Sequence, residues 1–230
     1  MNAKPDDQRK TKDTAAASPH LTLYHYWRSS CSWRVRWALA LKGVSYKHSP
    51  VDLLHDAHKS PDFMRLNPSG FVPALLIDGQ CYGESMALLE YIEETWRHRP
   101  LLPNGPLQRL HVRQLCQTIV SGTQPLQNMS TQRRHSQNKD AQTEWARHWI
   151  ERGLHTYEQL LYANPPGTFS VGGSLSLADI CLVPQVYNAQ RFGVNLEKVP
   201  MIQAIYNNCL KTVECQESAP HNQPGAQLLA

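Results

Sequence analysis

Strand-type patterning stops at one place in this 230-residue chain, the Pro- and Gly-rich stretch "RHRPLLPNGP" at 97–106, and does not resume after it. Before it, "LTLYHY" (21–26) alternates as a half-buried strand does. "WRVRWALALK" follows with Val35, Ala38, Leu39 and Lys42 at helical spacing, closed by Gly43 as a C-terminal cap. "VSYKHSPVDL" (44–53) reads as a second strand that Pro50 confines to an edge or an end. A short helical stretch, "SPDFMRLN", leads to two apolar strands around the hairpin signal Asp78-Gly79, and "ESMALLEYIEETW" (84–96) reads as a helix. Beyond the break only helical patterns remain, at 107–121, 141–163, 176–192 and 200–212. In the third of these, Ser176 and Asp179 form an S-x-x-D capping box flanked by Leu175 and Ile180.

The order β-α-β, then β-β-α, predicts a thioredoxin-like α/β unit over 20–99, followed by an all-helical unit over 107–224. Residues 1–19 mix Lys4, Arg9, Lys10 and Lys12 with Asp6, Asp7 and Asp13, so a disordered tail is expected there. A formal charge of +4 with no Lys/Arg stripe interleaved with aromatics argues against a nucleic-acid partner. No run reaches the roughly 18 apolar residues that a membrane span requires, and no signal-peptide core is seen. Six cysteines without a C-x-x-C pair read as reduced thiols in a cytoplasmic protein, with no metal implied.

"SSCS", Ser29 to Ser32, falls at the first strand-to-helix junction. The first turn of a helix carries unpaired N–H groups and about half a positive charge, so it favours an anion such as a thiolate. The serines either cap the helix or hold that anion, and Cys31 either reacts or orients a ligand. Arg34 and Arg36 are expected to tie the helix to neighbouring carboxylates. Pro73 in "FVPALL" reads as a strand-entry proline, and Ser85 as an N-cap behind Glu84. Pro125 is expected to break the chain near Gln124, Asn128 and Ser130, while Arg191 ends the capped helix.

Together "SSCSWRVR", "ALALKG", "NPSGFVPAL", "QPLQN" and "LADICLVPQV" resemble the zeta-class glutathione transferases, the maleylacetoacetate isomerase family, from about Leu21 to Pro224. The first motif is specific to that class, whereas the capping box and N-P-x-G-x-V-P recur across glutathione transferases. The resemblance implies the glutathione transferase fold, glutathione as cofactor, a homodimer, and conversion of maleylacetoacetate to fumarylacetoacetate in tyrosine and phenylalanine breakdown. Maleylpyruvate isomerisation, transfer to small α-halo acids, and a non-catalytic glutathione-binding module stand as alternatives.

The resemblance also assigns roles. Ser29, Ser30 and Cys31 would carry catalysis, with Ser29 first as the donor to the glutathione sulfur. Ser32 and Arg34 would complete the glutathione motif. Val72, before a cis Pro73, would pair with the cysteinyl part; Glu84 and Ser85 would take the γ-glutamyl end. Gln124, Asn128 and Ser130 would face the ligand from the helical half. The loop "LLHDAHKSPDFMRL" (53–66) lacks the family's Gly-Gly, leaving His58 or Lys59 as candidate for the glycine end. Arg28 and Arg191 would hold the acidic substrate.

Overall fold

Leu21–His25 form β1, whose side chains alternate between fully covered and half-covered positions, as the pleat of a strand dictates. The computed structural model describes residues 19–226; the tail expected over 1–19 lies, apart from Pro19, outside the described residues. After β1 come α1 (Ser30–Leu41), β2 (Lys47–Pro50), α2 (Pro61–Leu66), β3 (Ala74–Ile77), β4 (Gln80–Tyr82) and α3 (Ser85–Thr95). The sheet order is β2-β1-β3-β4, with β1 and β2 parallel and the other pairs antiparallel. Pro50 ends the edge strand, where its missing N–H costs no ladder bond. The β3–β4 turn uses Asp78 and Gly79, both at positive φ.

Helices alone follow: α4 (Pro106–Val120), α5 (Gln124–Gln127), α6 (Met129–His135), α7 (Lys139–Ala163), α8 (Leu177–Arg191), α9 (Pro200–Cys209) and α10 (Val213–Ser218). The short α5, α6 and α10 were not expected from periodicity. Pro125 does not break a helix; it sits in the first turn of α5, where a missing N–H is tolerated, and the break falls at residues 121–123. At the start of α8 the buried Asp179 carboxylate accepts from Ser176 N–H, Ser176 Oγ and Ser170 N–H, which closes the capping box and pins the preceding loop. Among the described residues no helix is long and apolar enough to cross a membrane.

The core positions the site through α1. Trp33, Val35, Trp37, Ala38, Leu39 and Leu41 are all buried, because α1 packs on α3 from one side and on α8 and α10 from the other. Its end is fixed by Gly43 at φ +59, with Gly43 N–H on Ala40 O and Val44 N–H on Leu39 O. Lys42 turns inward to Glu93 at 2.7 Å and to the carbonyls of His98 and Arg99. Glu93 in turn accepts from Leu101 and Leu102 N–H, so the connecting stretch is stitched to both α1 and α3.

Arg34 and Arg36 correct one expectation: among the described residues neither meets a carboxylate. Arg36 is buried against the carbonyls of Tyr26, Trp27 and Ser218 and against His25 Nδ1, which docks α10 onto the strand–helix junction. Trp33 adds a second tie by donating Nε1–H to Ser218 Oγ at 3.0 Å.

Candidate active site

The N-terminus of α1 is open. Ser29 is its N-cap, with φ −70° and ψ 122°, and its Oγ accepts from Ser32 N–H at 3.2 Å. Its own hydroxyl proton has no acceptor among the described residues. The Ser30 hydroxyl is engaged, donating to the carbonyl of Pro184 on α8 at 3.2 Å. Of the two serines on this edge, only Ser29 has a free proton. The Cys31 thiol, half-buried, donates to Gln124 Oε1 at 2.9 Å.

Arg34, one turn along α1, is wholly covered, and its Nη1 alone reaches Cys31 Sγ at 3.6 Å, Ser85 Oγ at 3.2 Å and Gln124 Oε1 at 3.2 Å. Arg34 thus ties together candidates from α1, α3 and α5, while its Nε and Nη2 have no hydrogen-bond partner among the described residues. Complete burial puts it behind the site surface, so any effect on a ligand passes through those three side chains. Ser32 is likewise fully buried, its Oγ facing the Tyr26 N–H at 3.4 Å, and its side chain lies beneath the site rather than in it.

Two further sets of unpaired groups flank the α1 terminus. The Val72–Pro73 peptide is cis, and neither Val72 N–H nor Val72 C=O has a hydrogen-bond partner among the described residues. Asn67 holds this loop by donating Nδ2–H to Phe71 O at 2.8 Å. Glu84 sits at φ +61°, a conformation a non-glycine residue adopts only under constraint, and leads into the open N-terminus of α3 at Ser85.

On the helical side, Asn128 Oδ1 accepts from Gln124 Nε2 at 3.1 Å, which orients the Gln124 amide with its oxygen toward Cys31. Ser130 is exposed and its side chain bonds to none of the cluster. His58 lies on the turn Ala57–Lys59 with its carbonyl beside Gly70, and no hydrogen bond joins it to the cluster. Burial lowers its pKa, against the pull of Asp56; Lys59 and Arg133 lower it further.

Arg28 packs its guanidinium over Trp27 at 5.3 Å, and Arg191 donates to Asn188 Oδ1 at 3.0 Å. Partial enclosure lowers the pKa of Arg191, and Arg28 lowers it further, so the two cations feel each other. Among the described residues no carboxylate forms an ion pair with either.

Sequence reasoning missed Gln127, Gln185, Asn67 and the Pro184 carbonyl. Only Gln185 carried a visible signal, as the single polar residue within the apolar run "ICLVPQV".

The groups present fit glutathione. Ser29 offers a free hydroxyl proton, Val72 an unpaired N–H and C=O, and α3 an open N-terminus beside the Glu84 carboxylate.

Comparison with known proteins shows the family. Residues 28–95 match the glutathione S-transferase N-terminal domain. The chain is 46% identical to the maleylacetoacetate isomerase of Rattus norvegicus over 204 residues, 88% of this chain and 93% of that one. The maleylacetoacetate isomerase of Anaeromyxobacter dehalogenans 2CP-1, solved with glutathione in its active site, superposes with a TM-score of 0.83 at 40% identity, covering 91% of this chain and 99% of that one. The same protein has been solved with dicarboxyethyl glutathione and citrate in that site. A bacterial maleyl pyruvate isomerase of the zeta class superposes with a TM-score of 0.87 at 36% identity, covering 90% and 100%. The fold is therefore that of the glutathione transferases, a thioredoxin-like unit followed by helices, and the chain belongs to the maleylacetoacetate isomerase family, the zeta class of that superfamily.

Proposed function

We propose that the protein is a glutathione-dependent isomerase that converts the cis double bond of maleylacetoacetate to the trans bond of fumarylacetoacetate, a step of tyrosine and phenylalanine breakdown. The observation that carries this is the N-terminus of α1, where the Ser29 hydroxyl, unlike that of Ser30, has no acceptor among the described residues; Arg28 and Arg191, which pair with no carboxylate among those residues, supply the cationic side. Bound glutathione supplies a thiolate that adds to the conjugated double bond, leaves a single bond free to rotate, and departs unchanged.

The chain's residues do the rest. A free thiol with a pKa of roughly 8.5 needs about 2.7 kcal/mol of preferential stabilisation to ionise two units lower. A charge-assisted hydrogen bond from Ser29, at about 1.5–3 kcal/mol, together with the α1 terminus, at about 0.3–2 kcal/mol, covers that amount. Arg28 and Arg191 hold the substrate carboxylates and stabilise the negative charge that develops on its oxygens. Val72, Glu84 and Ser85 orient the peptide of glutathione, and Gln124 and Asn128 close over it from the helical side.

Residues 20–99 would then be the thioredoxin-like glutathione-binding unit, and the all-helical unit 107–224 would add Gln124, Asn128 and Arg191 to the site. Exposed Leu107 and Leu110 on α4, 78% and 63% accessible, offer an apolar face for a second copy, consistent with a homodimer. The six cysteines are all free thiols, in keeping with the reducing cytoplasm.

The test is a spectrophotometric assay of maleylacetoacetate with and without glutathione. Turnover only in its presence is expected, and its absence under both conditions rejects the proposal. The likeness to a maleyl pyruvate isomerase favours a second reading. Turnover of maleylpyruvate but not of maleylacetoacetate would select it.

A further inference from the structure

One pair of buried amides has no part in the chemistry above. Gln127 on α5 donates Nε2–H to Gln185 Oε1 at 3.0 Å, and Gln185 on α8 returns the bond from its Nε2 to Gln127 Oε1 at 2.8 Å. Gln185 is fully buried and Gln127 only 4% exposed. Alone, either amide would strand polar groups in the core; head to head, each satisfies the other. Two apolar side chains of similar volume would hold the helices together at similar free energy. What an amide pair adds is register, because its two bonds fix both separation and orientation.

What that register controls lies on either side. Gln185 follows Pro184, whose carbonyl receives the Ser30 hydroxyl of α1. Gln127 stands one turn after Gln124, whose Oε1 receives the Cys31 thiol and Arg34 Nη1. A closed circuit results: α1 to α8 through Ser30, α8 to α5 through the amides, and α5 back to α1 through Gln124. Four residues long, α5 packs on α7 and α6, and its carbonyls are pinned by Trp145 Nε1 on Leu126 O at 2.7 Å and by Gln132 Nε2 on Gln127 O.

We infer that the Gln127–Gln185 amide pair is a positioning device that holds Gln124 against Cys31 and Arg34. It deepens the proposed function, on which it rests only for the identity of the ligand that this wall faces.

Three readouts test it in Gln185→Leu and in the double variant Gln127→Leu/Gln185→Leu: glutathione affinity by calorimetry, Tm, and Cys31 alkylation by iodoacetamide without glutathione, followed by peptide mapping. In Gln185→Leu the stranded Gln127 amide should lower Tm, weaken glutathione about tenfold, and speed alkylation about threefold or more as Gln124 releases the thiol. In the double variant the apolar pair should restore Tm but neither of the other two. Wild-type alkylation in Gln185→Leu, or recovery of all three readouts together in the double variant, overturns the inference. A wild-type protein that binds no glutathione would refute the proposed function instead, and alkylation with Tm would still decide the role of the amides.

Discussion

Arg34 donates to Ser85 across 51 positions of sequence, at 3.2 Å, from a guanidinium that solvent does not reach and that meets no carboxylate among the described residues. A buried cation without a counter-ion costs stability. Replacing it by an apolar side chain of similar length should therefore leave the fold no weaker. In Arg34→Met, Tm is expected to hold or rise, while glutathione affinity falls about ten- to a hundredfold as Cys31, Ser85 and Gln124 lose their shared donor. Calorimetry and thermal melting check both parts; a fall in Tm with unchanged affinity would make Arg34 merely structural.

The α4–α5 turn rests on α7 at a point where only glycine fits. A Cβ on Gly153 would overlap Thr123 Oγ1 and come within 2.6 Å of Thr123 Cγ2, and Thr123 is itself held by its bond to Thr118 O at 2.7 Å. Gly153→Ala should cost about 1–3 kcal/mol by overpacking and push α5 off its seat. Denaturant titration is expected to show the loss, with part of it recovered by adding Thr123→Ala. Full stability in the single variant would contradict so close an approach.

How far the sequence could be read follows from which contacts are local. The capping box at Ser176, the Asp78-Gly79 turn and the Gly43 cap each depend on a few neighbouring residues, and each is where the pattern put it. Arg34 and Arg36 misled because helix-face arginines ordinarily face solvent. Here α8 and α10, some 150 or more positions away, cover the face that α3 leaves open. Ser32 was indistinguishable from Ser29 and Ser30 within "SSCS"; only the helix phase, which turns it toward Tyr26, separates them. Gln127 and Gln185 are 58 positions apart, and nothing local announces that they meet.

A pH dependence follows from His25. Arg36 can only donate, so His25 Nδ1 accepts from it and the ring proton stays on Nε2, which donates to His48 Nδ1 at 3.2 Å. Burial, then Arg36 and His48, lower the His25 pKa to about 3. Between that value and roughly 6.5 the unfolded chain binds a proton that the folded chain refuses. Stability should thus fall as pH drops through this window, by up to about 1.4 kcal/mol per pH unit from this group. Denaturant titrations from pH 7 to 5 on wild type and His25→Gln check it. The glutamine can accept from Arg36 and does not titrate, so its slope should be flatter; parallel slopes would remove His25 as the cause.

Arg191 and Arg28 should act on the acidic substrate and not on glutathione. Arg191→Ala removes one charge-assisted contact worth about 1.5–3 kcal/mol, so KM for the acidic substrate should rise about ten- to a hundredfold with glutathione affinity little changed. Arg28→Ala should do the same. Equal losses toward a neutral acceptor in transferase assays would mark either residue as structural.

Ser29 and Ser30 differ in one respect that variants can read. Ser30 has committed its proton to Pro184 O, and Ser29 has not. Ser29→Ala should raise the pKa of bound glutathione and slow turnover at neutral pH by about ten- to a hundredfold, with part of the loss recovered at higher pH where solvent supplies the thiolate. Ser30→Ala should leave that ionisation in place and instead loosen α1 from α8, seen as a lower Tm. Cys31→Ala keeps Ser29 and the helix terminus, so it should change KM more than the titration midpoint. The measurement is thiolate absorbance of bound glutathione against pH in all three variants. An unchanged midpoint in Ser29→Ala, with a shifted one in Ser30→Ala, would transfer the donor role to Ser30 and require its hydroxyl to leave Pro184 when glutathione binds.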